Sequence, residues 1–166
     1  MIKRRLPWLI IGVLGGTVTA SIISSFEHVL SILLALAAFV PVLACLSDAV
    51  GTQSETLAVR SIALDPKLSL KSHFLRELTV AVSLASVCGL IISAVALIGW
   101  HNTLLGLIVG LSMFLSILAA VLISTCLPFL LKRLDFDPAF ASGPFATMIS
   151  DIATVPVYFS LASLIL

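Results

Sequence analysis

Five long apolar segments, separated by short turns that hold nearly all the charge, constrain the fold of this chain more than any other feature. They run over residues 6–26, 29–47, 78–100, 103–131 and 143–165, and none contains lysine or arginine. A helix needs roughly 20 apolar residues to cross a bilayer, so each segment is long enough. Only 10% of the residues are charged, whereas a soluble domain carries about 25%. The sequence therefore predicts an all-α integral membrane protein, with residues 1–166 forming one transmembrane domain.

The basic residues fall on one side of the membrane if the five segments alternate in direction. They are nine in number: Lys3, Arg4, Arg5, Arg60, Lys67, Lys71, Arg76, Lys132 and Arg133. The opposite side receives only the turns at residues 27–29 and 100–103 and the C-terminus. Lysine and arginine in short loops mark the cytoplasmic side. We therefore expect a multi-pass protein of the cell membrane (the inner membrane), with its N-terminus in the cytoplasm and its C-terminus outside.

Asp151 is the only acidic residue well inside an apolar segment. An ionised aspartate at such a depth costs about 2.5–3.5 kcal/mol on insertion scales, so it is expected to face a cavity or a partner. Thr147, Asp151 and Thr154 share one helix face at spacings of four and three, with Ser150 beside it. This pattern predicts an ion site at Asp151 with Thr147, Ser150 and Thr154 lining a pore. The alternative is a protonated Asp151 that is hydrogen-bonded to a neighbouring helix.

Pro156 follows Asp151 by five residues and has no N–H to donate to the carbonyl of Ile152. A freed carbonyl at membrane depth is tolerated where it faces water or protein. The proline therefore fits a polar lane beside Asp151, although prolines also kink membrane helices where no ion is bound.

The second candidate region is the polar, inward end of the second segment, residues 41–60. Pro41 lies past the middle of that segment, at a depth similar to that of Asp151, and Gly51 and Gln53 follow further inward. Asp48 and Glu55 are seven residues apart, so they share a face if the helix continues. Their oxygen ligands suit a hard cation such as magnesium. We expect Asp48 and Glu55 to bind metal and Pro41, Gly51 and Gln53 to line the pathway. An ordinary solvated helix end is the alternative.

The remaining motifs exclude several classes of function. His28, His73 and His101 lack HExxH spacing and no cysteine cluster accompanies them, so no zinc or copper site is predicted. The sequence has no GxSxG motif, no Walker loop and no basic stripe interleaved with aromatics. We therefore expect neither an enzyme nor a nucleic-acid-binding protein, and no cofactor. Gly106 and Gly110 have GxxxG spacing, which predicts a close helix contact.

Residues 127–164, "LPFLLKRLDFDPAFASGPFATMISDIATVPVYFSLASL", resemble the end of the transmembrane domain of MgtE magnesium channels and their eukaryotic solute-carrier relatives. Shared features are a proline-ended helix, a basic turn, "DPA", "SGP" and an aspartate inside the last helix. "FVPVLA" and "GTQSETLAVRSIAL", within residues 36–64, supply a second match. The resemblance implies a homodimer with magnesium as the transported ion, which passes along the two-fold axis between the second and fifth helices. It also implies that Asp151 faces this pathway and holds a hydrated magnesium ion.

Two departures from the family pattern carry expectations of their own. The family has a glycine-asparagine stretch before "GTQ", where this chain has Ser47-Asp48-Ala49-Val50. Cobalt, manganese or another divalent ion is therefore an alternative cargo. MgtE proteins begin with cytoplasmic magnesium-sensing domains, whereas this chain begins at the membrane. We expect it either to conduct without that gate or to use a separate regulatory subunit. A non-transporting membrane subunit that partners such a regulator is the alternative from another functional class.

Overall fold

The structure is a computed structural model that describes residues 2–65, 69–138 and 144–166. These ranges are helical and contain no strand; the helices are α1 (Ile2–Ser25), α2 (Glu27–Ile32), α3 (Leu36–Leu64), α4 (Leu70–Trp100), α5 (Thr103–Arg133) and α6 (Pro144–Ile165). Within them, α3 to α6 are long and apolar enough to cross a membrane, and α1 adds a shorter apolar stretch, Leu9–Ser25. The all-α prediction is confirmed, and four or five apolar helices are compatible with a membrane protein.

The second predicted segment, residues 29–47, does not coincide with a single helix. Its first residues belong to the short helix α2, and α3 begins only at Leu36 after a break at Leu33. The sequence around this break contains no glycine or proline that would predict it. Tertiary contacts fix the start of α3 instead, since Leu36 is fully buried and its carbonyl oxygen accepts a hydrogen bond of 2.8 Å from Tyr158. At the other end the helix continues through the polar run to Leu64. Asp48 and Glu55 are therefore on one continuous helix, as their shared face requires.

The other bounds agree more closely with the sequence analysis. Helices α1, α4 and α5 all contain the predicted segments 6–26, 78–100 and 103–131 to within one residue, and α4 and α5 extend further at the end rich in basic residues. Helix α6 ends at Ile165 as predicted. Gly143, the predicted first residue of that segment, lies outside the described residues.

Helix α5 is the centre of the bundle and packs against α3, α4 and α6, while α6 also contacts α1 and α3. Its interior position follows from its composition, because α5 carries apolar and small residues on all its faces, and many of them are fully buried. Helix α4 contacts mainly α5, and its outward face carries large exposed aliphatic side chains: Val80, Leu84, Val87, Leu90, Ile91, Val95 and Ile98. That face has the composition of a lipid-facing surface.

Glycines allow α4 and α5 to approach each other closely. A Cβ atom placed on Gly110 would lie 2.8 Å from the Cβ of Ser93 and 3.0 Å from the carbonyl oxygen of Gly89. A Cβ on Gly106 would lie 3.1 Å from the carbonyl oxygen of Ser93. The close helix contact predicted from the GxxxG spacing is confirmed, and its partner is α4 of the same chain.

The two ends of α5 are capped by local hydrogen bonds. Asn102 accepts a bond of 3.0 Å from the N–H of Leu105 at the start of the helix. At the other end Asp135 is in the left-handed region with φ 59°. Its N–H and that of Phe136 donate to the carbonyls of Lys132 and Leu131, which is the Schellman pattern. The helix therefore ends sharply after its basic last turn.

Candidate functional site

Helices α3 and α6 form an antiparallel seam whose register follows from their contacts. The Tyr158 hydroxyl meets the carbonyl of Leu36 near the start of α3. Two turns further along α3, Leu43 and Ala44 line a crevice together with Thr154, which lies one turn before Tyr158 on α6. Residue numbers rise along α3 as they fall along α6. The next turn, about 6 Å further along the axis, therefore brings the Ser47–Asp48 pair level with Ser150–Asp151.

Two carboxylates lie at the same level of this seam, and a third follows on α3. Asp48 and Asp151 are both half-buried. Glu55 lies two turns further along α3 than Asp48. Glu55 is 3% exposed, and its Oε1 atom has no hydrogen-bond partner among the described residues. Asp48 therefore has one acidic residue at its own level on α6 and another two turns along α3, in a bundle that is otherwise mostly apolar.

Gly51 sets the distance between this acidic run and α5. It lies one turn from Asp48 on the buried side of α3, and a Cβ atom on it would come within 2.9 Å of the Ser124 Oγ and 3.5 Å of the Ala120 Cβ. No other residue type fits this contact without moving a neighbour. Because glycine has no side chain, the middle of α3 can lie directly against α5 at this position. Asp48 and Glu55 lie on α3 on either side of this contact.

Hydroxyl groups behave differently inside and outside the bundle. Exposed ones on α1, α3 and α4 donate to the carbonyl four residues earlier, as Thr17, Ser21, Thr56, Thr79, Ser83 and Ser86 do. Buried ones on α3, α5 and α6 have no partner among the described residues; these are Ser47, Ser112, Ser116, Thr125, Ser150 and Thr154. A buried polar group left unpaired costs about 1–3 kcal/mol. The interior of the α3–α5–α6 bundle is therefore more polar than its protein contacts satisfy.

The pore-lining residues predicted from the sequence separate into two groups. Pro41 and Gln53 are exposed on the outer face of α3, and Thr147 is half-buried on α6. Thr154 and Gly51 are buried within the chain, against α3 and α5 respectively, and Ser150 is 2% exposed. The first group faces outward, where another molecule or water can reach it, and the second lies inside one subunit.

The outer face of α3 is composed unlike that of α4. Its exposed residues are mostly small or polar: Ala37, Ala38, Pro41, Cys45, Ala49, Thr52, Gln53 and Thr56. Large aliphatic side chains dominate the exposed face of α4. A surface against lipid tails is expected to be apolar throughout, so the face of α3 suits a helix contact or water better than lipid.

Across the ranges that the structure describes, no three His, Cys, Asp or Glu side chains converge closely enough to hold a metal ion. Asp48, Asp151 and Glu55 therefore do not form a closed cage in the single chain. Such an open set of carboxylates can attract a cation and its bound water, whereas direct chelation of a bare ion needs more ligands.

Sequence reasoning missed the polar residues that α5 contributes. Ser112, Ser116 and Ser124 are all buried, and with Ala120 and Pro128 they form a series at every fourth position. That spacing places them along one face of a helix. The fourfold repeat of small residues is the signal that predicts this face. Sequence reasoning also missed the common level of Asp48 and Asp151 along α3 and α6, for which a linear pattern has no signal.

The sequence profile of the MgtE family, described as a divalent cation transporter, matches residues 40–161. Proteins named "Magnesium transporter MgtE" are similar over nearly the whole chain. The one from Bacillus subtilis is 36% identical over 96% of this chain. Those from Enterococcus faecalis and Thermus thermophilus are 39% and 38% identical over 98% of it. The chain spans 36% of the length of each of these relatives.

Proposed function

The chain belongs to the MgtE family of divalent cation transporters, and on that premise we propose that it carries a divalent cation, magnesium first, through a pore at the axis of a homodimer. This family consists of transporters rather than enzymes, so magnesium is cargo and not a cofactor. The observation that carries the proposal is the register of α3 and α6, which brings Asp48 and Asp151 to the same level of their seam. Two carboxylates that repel each other at membrane depth need a cation or protons between them.

The arrangement of the acidic groups favours an ion that keeps much of its water. Magnesium gives up its hydration shell reluctantly and is commonly held by one or two carboxylates plus water. Asp151 is the central site, with Asp48 opposite it and Glu55 further along α3. The hydroxyls of Ser47 and Ser150 lie next to these aspartates in the sequence, are buried and have no partner among the described residues, so they add to the polarity of the bundle at this level.

A second copy of this chain is the partner that suits the outer face of α3. The small and polar residues of that face allow close approach of another helix, and a two-fold axis would bring the same surface from both copies together. Pro41 and Gln53, which are exposed in the single chain, would then line the pathway. Four carboxylates, an Asp48 and an Asp151 from each copy, would surround the axis.

The direction of transport follows from charge. With five spans and all the basic residues in the cytoplasm, the C-terminal end of α3 and the N-terminal end of α6 face inward. The membrane potential then favours inward movement of a cation by about 2.3 kcal/mol per charge for each 100 mV. A channel can use this gradient without coupling to another ion.

Flux through the purified protein tests the proposal. The chain is reconstituted into liposomes, and uptake of Mg²⁺, Co²⁺ and Mn²⁺ is followed with an internal indicator dye. We expect Asp151→Asn to lower Mg²⁺ flux at least tenfold and Asp48→Asn to lower it less. The matched control is Glu27→Gln, which removes the same charge from an exposed position on α2.

Three outcomes decide between the alternatives. Unchanged flux in Asp151→Asn would remove that residue from the mechanism. Faster Co²⁺ or Mn²⁺ than Mg²⁺ uptake by the wild-type protein would reassign the cargo. A correctly folded wild-type protein that conducts none of the three ions would favour a non-transporting membrane subunit that depends on a separate regulatory protein.

A further inference from the structure

A cavity lies where the first turn of α4 meets the last turn of α5. Its volume is about 490 Å³, and the described residues that line it are Ser69, Leu70, Lys71, Phe129, Lys132 and Arg133. Three of these six are cationic and none is acidic. The volume falls within the range of about 300–1,000 Å³ that is typical of small-ligand sites. None of these lining residues belongs to the proposed ion pathway.

The backbone adds to the positive potential of this cavity. Helix α4 is 31 residues long and begins at Leu70, directly at the cavity. Ser69 precedes it in an extended conformation, and its side chain makes no capping hydrogen bond to the first turn. The N-terminus of a helix carries a partial positive charge that attracts anions. Together with Lys71 and Arg133, the start of α4 forms a site for a group with several acceptor oxygens, such as a phosphate.

An apolar groove leads away from the cationic cavity. It is lined by Leu70, Lys71, Phe74, Leu122 and Cys126, has a volume of about 310 Å³, and shares Leu70 and Lys71 with the cavity. Leu122 precedes Phe129 by seven residues on α5, which is about 10 Å along the helix axis. The groove therefore runs from the charged end of the bundle toward its middle, along the outer surface between α4 and α5.

We propose that this combined site binds an anionic phospholipid, with the headgroup phosphate in the cationic cavity and an acyl chain in the apolar groove. Basic pockets between transmembrane helices on the cytoplasmic side are suited to anionic headgroups. A free phosphate compound would use the cavity and leave the groove empty. The groove is what favours a lipid, since it continues the cavity in the direction in which an acyl chain extends. The proposal requires only that the bundle lies in a membrane, and it does not depend on the ion carried.

Native mass spectrometry of the full chain in a neutral detergent tests this site. Binding is measured for phosphatidylglycerol and for phosphatidylcholine of the same acyl chains, and inorganic phosphate is titrated as a competitor. We expect phosphatidylglycerol to bind more tightly than phosphatidylcholine and Lys71→Gln/Arg133→Gln to weaken it at least tenfold. The matched control is Arg60→Gln/Arg76→Gln, which removes two exposed positive charges from outside the cavity and is expected to retain the affinity.

A second variant tests the groove separately from the charges. Leu122→Trp fills the groove and is expected to weaken phosphatidylglycerol binding while leaving any competition by inorganic phosphate unchanged. Equal affinity for the two lipids would overturn the proposal, as would equal losses in the cavity variant and its control. Binding of inorganic phosphate without phosphatidylglycerol, or full lipid affinity in Leu122→Trp, would overturn the assignment to a lipid.

Discussion

From the contact between α4 and α5 we predict that replacing glycine by alanine changes the stability of the protein differently at two positions of the same helix. Gly89 and Gly99 both lie in α4. A Cβ atom at Gly89 would lie 2.8 Å from the carbonyl oxygen of Gly110, whereas one at Gly99 would have no atom within 4 Å. Alanine at Gly89 must push α5 away because the obstructing atom belongs to the backbone, and alanine at Gly99 meets open space.

The magnitude follows from two effects. Replacing glycine by alanine inside a helix favours the helix by about 0.8–1.0 kcal/mol, and this effect is common to both sites. Forcing an extra methyl group into a well-packed contact costs about 1–3 kcal/mol. We therefore expect Gly99→Ala to raise the free energy of unfolding by up to about 1 kcal/mol. Gly89→Ala should be less stable than Gly99→Ala by about 1–3 kcal/mol, since the helix effect cancels in the difference.

The assay is reversible unfolding of the purified protein in mixed micelles with increasing sodium dodecyl sulfate, followed by circular dichroism. Each variant is compared with the wild-type protein under the same conditions, so the difference between the two variants is the quantity of interest. Equal unfolding free energies for Gly89→Ala and Gly99→Ala would show that α4 and α5 do not approach each other as closely as described.

Three further predictions concern the α3–α6 seam. Tyr158→Phe removes a buried hydrogen bond of 2.8 Å to the Leu36 carbonyl, so it should lower the unfolding free energy by about 0.5–1.5 kcal/mol in the same titration. An unchanged unfolding free energy would show that this hydrogen bond does not fix the start of α3. Thr154→Val replaces a buried, unpaired hydroxyl by a methyl group, and we expect equal or greater stability in thermal unfolding, which a clear loss would contradict. Asp48→Asn removes the charge that lies level with Asp151, so without divalent ions it should unfold at a higher temperature than the wild-type protein. Added Mg²⁺ should then stabilise it less than the wild-type protein, and an equal Mg²⁺ effect in both would exclude Asp48 from the site.

The sequence predicted the helices well where composition alone determines them. The all-α fold and the approximate places of four segments follow from apolar runs that are long enough to cross a bilayer and from charges confined to the turns. The short helix α2 and the late start of α3 were not predictable, because residues 29–40 are almost uniformly apolar. The hydrogen bond from Tyr158 to the Leu36 carbonyl joins residues 122 positions apart, and no local pattern encodes such a contact.

The residues of the candidate site were likewise predictable only in part from the sequence. Asp151 stands out in the sequence because a carboxylate inside an apolar segment is costly and needs a compensating partner. The sequence also placed Asp48 and Glu55 on one helix face, since seven residues make nearly two turns. Thr154 and Gly51 remain predicted pathway residues, and the structure adds that both are buried within the single chain. Helical spacing indicates which residues share a face but not what that face contacts.

The sequence by itself determined that this chain is helical, belongs in a membrane and holds a costly acidic residue at depth, because transfer free energies depend on residue type and segment length. Only the tertiary structure decided that Asp48 and Asp151 lie at the same level of the α3–α6 seam and that α5 brings unpaired hydroxyls into the same bundle. It likewise decided that the basic ends of α4 and α5 enclose a cavity continuous with an apolar groove. These features depend on the packing of helices distant in sequence, and packing is set by the shapes of all the side chains together.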